Sequence, residues 1–129
     1  MPTVEISWGE LIDKITILEI KEQRLTSPAA VANVREELAA LNRAAATLKP
    51  VPAALGVLQQ ELKSINEALW DIENRVRAKE AAKSFDPQFI ELTRSVYLNN
   101  DKRALIKRRI NELLNSGLVE EKQYTHYKA

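Results

Sequence analysis

The sequence predicts an all-α protein, an antiparallel bundle of about four helices arranged as two helical hairpins. The chain of 129 residues has only three glycines, and its abundant Ala, Leu, Glu, Lys and Arg residues are good helix formers. Apolar residues recur at alternating spacings of three and four over long stretches, which is the pattern of one helix face. Residues typical of helix starts precede these stretches.

The first two helices are predicted from serine caps. Ser7 and Glu10 form a capping-box pattern, in which each side chain binds a free backbone N–H of the first turn, and a helix over about residues 8–25 follows. Ser27 before Pro28 marks the second start, because proline at the first helical position loses no hydrogen bond. The second helix extends to about residue 48. Its apolar seam consists of Val31, Val34, Leu38, Leu41, Ala45 and Leu48.

The third helix is predicted over about residues 53–84, after a break at Lys49–Pro52. Its seam consists of Leu55, Leu58, Leu62, Ile65, Leu69, Ile72 and Val76. At 1.5 Å per residue such a helix is about 45 Å long, which exceeds what a compact bundle of this size needs. The second hairpin should therefore project, or bury its excess length in a second copy of the chain, and we expect a homodimer whose long hairpin is coiled-coil-like.

The fourth helix is predicted to begin at Asp86–Pro87 and to extend over about residues 87–115. The apolar spacing continues through Asn99–Asp101, which predicts one helix and not two. Gly117 follows the last apolar residues and predicts a glycine-capped end.

The remaining residues, 117–129, form a tail without helical periodicity. Tyr124 and Tyr127 give this tail the apolar surface with which it can lie back on the bundle. We treat the whole chain, residues 1–129, as a single helical domain, because its length suits one hydrophobic core.

Composition excludes several classes of function. Nineteen basic residues are balanced by eighteen acidic ones, which disfavours a general nucleic-acid-binding surface. The chain has no cysteine and one histidine, His126, so the usual zinc spacings and the histidine pairs of di-iron bundles are missing, and we expect no metal and no cofactor. No basic leader precedes an apolar segment, and no stretch approaches the roughly 18 apolar residues of a membrane span. We therefore expect a cytoplasmic protein without a membrane partner.

One charged residue falls where the pattern requires an apolar one. Arg103 lies near the centre of the fourth helix's apolar stripe, which consists of Leu92, Val96, Ile106 and Ile110. A buried unpaired charge costs several kcal/mol, so Arg103 must find a carboxylate or an anionic ligand. Glu19 of the first helix and Glu73 of the third are the two candidate partners.

Other polar and aromatic residues share the edges of the apolar seams, and we group them with Arg103 as one candidate cluster. Its members are Lys14, Glu19, Trp70, Glu73, Arg77, Arg94, Tyr97, Asp101 and Arg103. One interpretation is an internal network that fixes the register of the helices. The other is an inter-helix pocket for a small carboxylate or phosphate compound, in which electrostatic catalysis is conceivable although no residue is assigned a catalytic role.

The first helix carries an apolar residue that is surrounded by charged residues. Ile17 lies among charged residues and, with Lys21 and Arg24, forms a candidate docking face for a protein partner. The leading hypothesis is therefore a non-enzymatic interaction or assembly module. Nucleic-acid binding is disfavoured, because the basic residues of Lys102–Arg109 point all round their helix whereas phosphate binding needs them on one face.

Four segments of the chain resemble a known family. They are SWGELIDKITILEIK at Ser7–Lys21, LWDIE at Leu69–Glu73, FIELTRSVYLNNDKRALIKRRIN at Phe89–Asn111 and EEKQY at Glu120–Tyr124. The chain resembles a family of small, all-helical bacterial and phage proteins of unknown function. The resemblance implies an all-α fold and a cytoplasmic location, and it supplies no activity. It assigns eight members of the candidate cluster to the family's motifs: Lys14, Glu19, Trp70, Glu73, Arg94, Tyr97, Asp101 and Arg103.

Overall fold

The computed structural model describes residues 1–128 and confirms the all-α prediction. Its helices are α1 (Trp8–Arg24), α2 (Pro28–Ala45), α3 (Ala53–Ala81) and α4 (Pro87–Leu113). All four begin where the sequence indicates, and α4 is continuous through its polar middle. The predicted ends at about residues 25, 48, 84 and 115 fall at residues 24, 45, 81 and 113.

The helix starts at Ser7, Ser27 and Asp86 are capped as predicted. Each of these side chains accepts a hydrogen bond from the backbone N–H three residues further on and so satisfies one of the unpaired donors of the first turn. The second half of the predicted capping box is replaced by another contact. The Glu10 carboxylate accepts a hydrogen bond from Lys107 on α4, so this side chain joins two helices.

The end of α4 differs from the prediction of a glycine cap at Gly117. Asn115 has the left-handed conformation, with φ of 51°, and its N–H donates to the Glu112 carbonyl. The Ser116 N–H reaches back to the Asn111 carbonyl at 2.8 Å, which completes a Schellman motif. Asn adopts this conformation readily because its side chain is short and polar, so the helix ends before Gly117.

The central helix of the fold is α1, which contacts α2, α3 and α4. Helices α3 and α4 pack along each other as the second hairpin, in agreement with the predicted pair of hairpins. Because neighbours lie on several sides of α1, eight of its residues are buried, including the polar Asp13 and Thr16. The core around it consists of Leu11, Ile12, Ile15, Leu18, Val34, Leu38, Leu55, Leu62, Ile106 and Ile110.

The α3–α4 hairpin extends beyond α1. Helix α3 has 29 residues and α1 has 17, which correspond to lengths of about 44 Å and 26 Å. At the tip of the hairpin Phe85 and Ile90 are exposed. Within the described residues 1–128, none of the helices combines the length and the apolar composition needed to cross a bilayer.

Candidate functional site

The most deeply buried carboxylate near the centre of the fold belongs to Asp13 of α1, which is 1% exposed. Its Oδ1 accepts hydrogen bonds from Arg103 Nε at 3.0 Å and from Asn66 Nδ2 at 2.9 Å. Its Oδ2 accepts a bond from Arg103 Nη2 at 2.5 Å. The guanidinium therefore binds both carboxylate oxygens, the strongest arrangement for such a pair. The need of Arg103 for a counter-charge is met by Asp13.

The two carboxylates that the sequence suggested for Arg103 have other partners. Glu19 lies 3.5 Å from Lys63. Glu73 lies 3.6 Å from Arg77, one turn further along α3. The suggestion was wrong because α1 contacts helices on several sides, which brings a different carboxylate of α1 to Arg103. The packing on several sides buries Asp13, which lies inside the apolar run that begins at Leu11.

Lys107 is the second cation of this network and the more buried one, with a side chain that is 8% exposed. Its Nζ lies 2.8 Å from Glu10 Oε2, 2.9 Å from Glu120 Oε2 and 3.9 Å from Asp13 Oδ2. Burial alone would lower the pKa of Lys107, but the hydrogen bonds to Glu10 and Glu120 and the Asp13 charge outweigh burial and raise that pKa. The bond from Lys107 in turn lowers the pKa of Glu120. The contact fixes the start of the tail to α4.

The first turn of α1 packs directly against the last turns of α4. The Gly9 N–H donates to Asn111 Oδ1 at 2.7 Å, and the Trp8 N–H donates to Ser116 Oγ at 3.2 Å. A Cβ atom at Gly9 would lie 2.5 Å from the Lys107 carbonyl oxygen. Only glycine fits this close approach, which sets the register of α1 against α4 and so places Asp13 opposite Arg103.

The network around Asp13 is internally paired. Within residues 1–128 every buried side-chain nitrogen and oxygen atom has a hydrogen-bond partner. The cations Arg103 and Lys107 are surrounded by the carboxylates of Asp13, Glu10 and Glu120. Glu120 also lies 3.8 Å from Lys122, so three carboxylates meet three cations and each of these cations already has a carboxylate partner. The geometry of the network argues for internal pairing and against an anion site centred on Arg103.

Three members of the candidate cluster meet at a cavity of about 370 Å³ between α1, α3 and α4. These are Trp70, Glu73 and Arg103, and Ile17 of the predicted docking face lines the same cavity. Arg24 lies over the Trp70 ring, 5.9 Å from its centroid, and binds Asp71 at 2.8 Å. Two of the residues predicted to dock a partner are thus engaged within the chain.

Three other members, Arg94, Tyr97 and Asp101, face the C-terminal tail and not another helix. They line a cavity of about 820 Å³ between α4 and residues 122–128, which we call the tail cavity. The Tyr127 hydroxyl donates to the Asp101 carboxylate. The Tyr127 ring meets the Tyr97 ring edge to face, with centroids 5.4 Å apart. The tail therefore lies back along α4.

The other predicted residues line neither cavity. Lys14 and Arg77 are exposed, on α1 and α3, and Lys21 is partly buried near the end of α1. The structure thus divides the candidate cluster between two cavities and the surface and does not gather it into one inter-helix site. Among residues 1–128 no group of His, Asp and Glu side chains is placed to hold a metal ion.

Comparison with known proteins gives one match. A family model described as a family of unknown function, DUF6165, matches residues 2–128. Neither the search of curated proteins nor the search of solved structures gave a match. The family match covers nearly the whole chain and brings no activity with it, so a functional argument depends on the geometry.

Proposed function

We propose that this chain, which belongs to the DUF6165 family, is a non-enzymatic helical assembly module that forms a homodimer through the α3–α4 hairpin. The observation that supports this proposal is an apolar groove of about 700 Å³ along the hairpin. Its lining residues all belong to α3 and α4, so the groove lies on a face that α1 does not cover.

The walls of the groove carry large apolar side chains that are exposed in the single chain. Val57 on α3 is 62% exposed and Leu105 on α4 is 50% exposed. Ile65 and Ile106 line the same groove. Single exposed apolar residues are ordinary, but residues that face each other across one groove form a continuous apolar surface, which is typical of an interaction site.

Gly56 at one end of the groove supports the same interpretation. Beyond the neighbouring backbone of α3, a Cβ atom added to Gly56 would meet no atom within 4 Å, so packing within the monomer does not require glycine there. Glycine within a helix costs up to about 1 kcal/mol relative to alanine. A glycine on a helix surface that the packing of its own chain does not require suits the close approach of another backbone. Here that backbone is a helix of a second copy.

The charges on the groove favour a second copy of this chain as the occupant. The α3 wall carries Glu61, and the α4 wall carries Lys102 and Arg109 on either side of Leu105. A two-fold axis parallel to the hairpin places α3 of one copy opposite α4 of the other. Glu61 of each copy then faces the basic wall of its partner, and opposite charges meet on both sides of the symmetric interface. The result is a four-helix bundle with antiparallel neighbours.

This groove is a better interface than the docking face predicted on α1. Arg24 is already bound to Asp71 and lies over Trp70, and Ile17 is partly covered in the inter-helix cavity. A partner that used this face would have to break those contacts. The groove needs no such rearrangement, because Val57 and Leu105 are exposed as they stand.

The experiment is a measurement of molar mass by sedimentation equilibrium for the wild-type chain and for Leu105→Asp. We expect twice the chain mass for the wild type and the mass of one chain for Leu105→Asp, because the carboxylate would be buried without a partner. Ile90→Asp is the matched control, since Ile90 is an exposed apolar residue of α4 that does not line the groove; it should remain dimeric. A monomeric wild type, or a Leu105→Asp variant that dimerises like the control, would refute the proposal.

A further inference from the structure

We infer that the tail cavity is a binding site for a nucleoside monophosphate, a ligand that combines a phosphate group with a flat ring. This inference is independent of dimerisation, because the tail cavity and the apolar groove share no lining residue.

The tail cavity has a fixed wall although the tail is not helical. Glu120 is bound to the buried Lys107 at 2.9 Å, and Glu121 lies 3.6 Å from Arg108. At the other end Tyr127 donates a hydrogen bond to Asp101. The tail is thus attached to α4 on both sides of the cavity. Its volume of about 820 Å³ falls within the range of roughly 300–1,000 Å³ of small-molecule sites.

The charges lining the tail cavity favour an anion. Arg94, Lys122 and Lys128 contribute three positive charges, of which Lys122 lies 3.8 Å from Glu120. Asp101 contributes one negative charge that already accepts the Tyr127 hydroxyl. Arg94 is exposed, and its guanidinium is therefore accessible to a ligand. A guanidinium binds two phosphate oxygens through parallel hydrogen bonds, so Arg94 is the residue that we assign to the phosphate.

The aromatic residues of the tail cavity favour a ring. The chain contains three tyrosines, and all three, Tyr97, Tyr124 and Tyr127, line this one cavity. Tyr97 and Tyr127 brace each other edge to face, whereas Tyr124 is 73% exposed and offers an uncovered ring. Tyrosine rings stack on nucleobases with little dependence on the base.

Groups suited to a sugar line the same cavity. Asn100 and Asp101 line the cavity, and their side-chain oxygens can accept hydrogen bonds from ribose hydroxyls. Phosphate, sugar and base thus each have a matching group in one cavity. This combination distinguishes the ligand class from a bare anion.

The test is a titration of the isotopically labelled full chain with adenosine 5′-monophosphate, followed by backbone amide resonances. The largest shifts should fall at residues 94–101 and 122–128. Inorganic phosphate and adenosine, titrated separately, should each bind at least about tenfold more weakly, because each provides only part of the contacts. Absence of shifts in the tail cavity at millimolar adenosine 5′-monophosphate would overturn the inference. Equally tight binding of inorganic phosphate would overturn the nucleoside class.

Two variants with the same change of charge separate a site from general electrostatic attraction. Arg94→Gln should weaken adenosine 5′-monophosphate binding about tenfold or more, as expected for the loss of a charged hydrogen-bond pair. Arg43→Gln removes an exposed charge from α2, outside the tail cavity, and should leave the affinity unchanged. Equal effects of the two substitutions would overturn the assignment of Arg94.

Discussion

Arg103 of α4 binds both carboxylate oxygens of Asp13 of α1, across 90 positions of the sequence, with the Asp13 side chain 1% and the Arg103 side chain 28% exposed. The carboxylate is enclosed and the guanidinium keeps some contact with water. Asn66 of α3 donates to the same carboxylate. One carboxylate therefore connects α1 with both helices of the long hairpin.

Asp13→Asn should destabilise the fold strongly. The substitution leaves the Arg103 charge without its counter-charge, and breaking a buried pair on one side costs about 3–5 kcal/mol. Because Arg103 is partly hydrated, we expect a loss near 3 kcal/mol in the free energy of unfolding, measured with urea. Glu73→Gln is the control, since it removes a carboxylate from an exposed pair and should change stability by less than about 1 kcal/mol. Similar losses for the two variants would contradict this account of Asp13.

The stability of the fold should fall in acid partly through Glu120. Its hydrogen bond from Lys107 holds its pKa below the ordinary value of 4.5. The folded state therefore binds the Glu120 proton more weakly than the unfolded state does, so this contribution is present above pH 4.5 and is lost as the pH falls through the lower folded pKa. Glu120→Gln should reduce stability at neutral pH and flatten the acid side of the profile. An unchanged acid slope would count against this contribution.

The opposite sign applies to Lys107. Its pKa is raised above the ordinary value of 10.5, so its contribution is fully present below pH 10.5 and is lost as the pH rises through the higher folded value. Lys107→Met should remove this alkaline loss from the profile measured by chemical denaturation. Persistence of the same alkaline loss in Lys107→Met would show that another group causes it.

Alanine substitutions at two helical glycines should have opposite effects. At Gly9 a Cβ atom would lie 2.5 Å from the Lys107 carbonyl oxygen, and relief of the clash would separate α1 from α4 at a cost of about 1–3 kcal/mol. At Gly56 the Cβ atom meets nothing, so Gly56→Ala should stabilise the monomer by up to about 1 kcal/mol. Both are measured by thermal unfolding in the Leu105→Asp background, which excludes effects on dimerisation. Stabilisation by Gly9→Ala would contradict the close packing at this crossing.

The helices were largely predictable because their signals are local. The spacing of apolar residues and the caps at Ser7, Ser27 and Asp86 specify elements within a few residues of themselves. The helix ends were less predictable. Lys83 and Asn115 adopt the left-handed conformation that is usual for glycine. Lysine has no preference for that conformation, so the end of α3 could not be predicted from this residue.

The sequence predicted that Arg103 needs a counter-charge, but it did not identify the residue that provides it. An arginine on an apolar stripe requires a counter-charge wherever it is buried, and the sequence showed this for Arg103. The identity of its partner depends on how α1 crosses the long hairpin, which is set by the contact between Gly9 and Asn111. Asp13 had one local signal, its position among the buried Leu11, Ile12 and Ile15 of an almost wholly enclosed helix.

The tail cavity was less predictable still. Arg94, Tyr97 and Asp101 recur at spacings of three and four, and this correctly places them on one stripe of α4. What covers that stripe is the tail, which has no periodicity of its own. Its path depends on the contact of Glu120 with Lys107, a pairing between distant residues that no local pattern specifies.

The most direct test of the proposed assembly exchanges the charges of the groove between two variants. Glu61→Lys makes both walls of the groove basic, and Lys102→Glu combined with Arg109→Glu makes both walls acidic. Each variant alone should sediment as a monomer, because like charges would face each other twice in its homodimer. An equimolar mixture should sediment at twice the chain mass, since every opposed pair is then of opposite sign. The symmetric α3–α4 interface would be contradicted if either variant alone dimerised as strongly as the wild type, or if the mixture stayed monomeric.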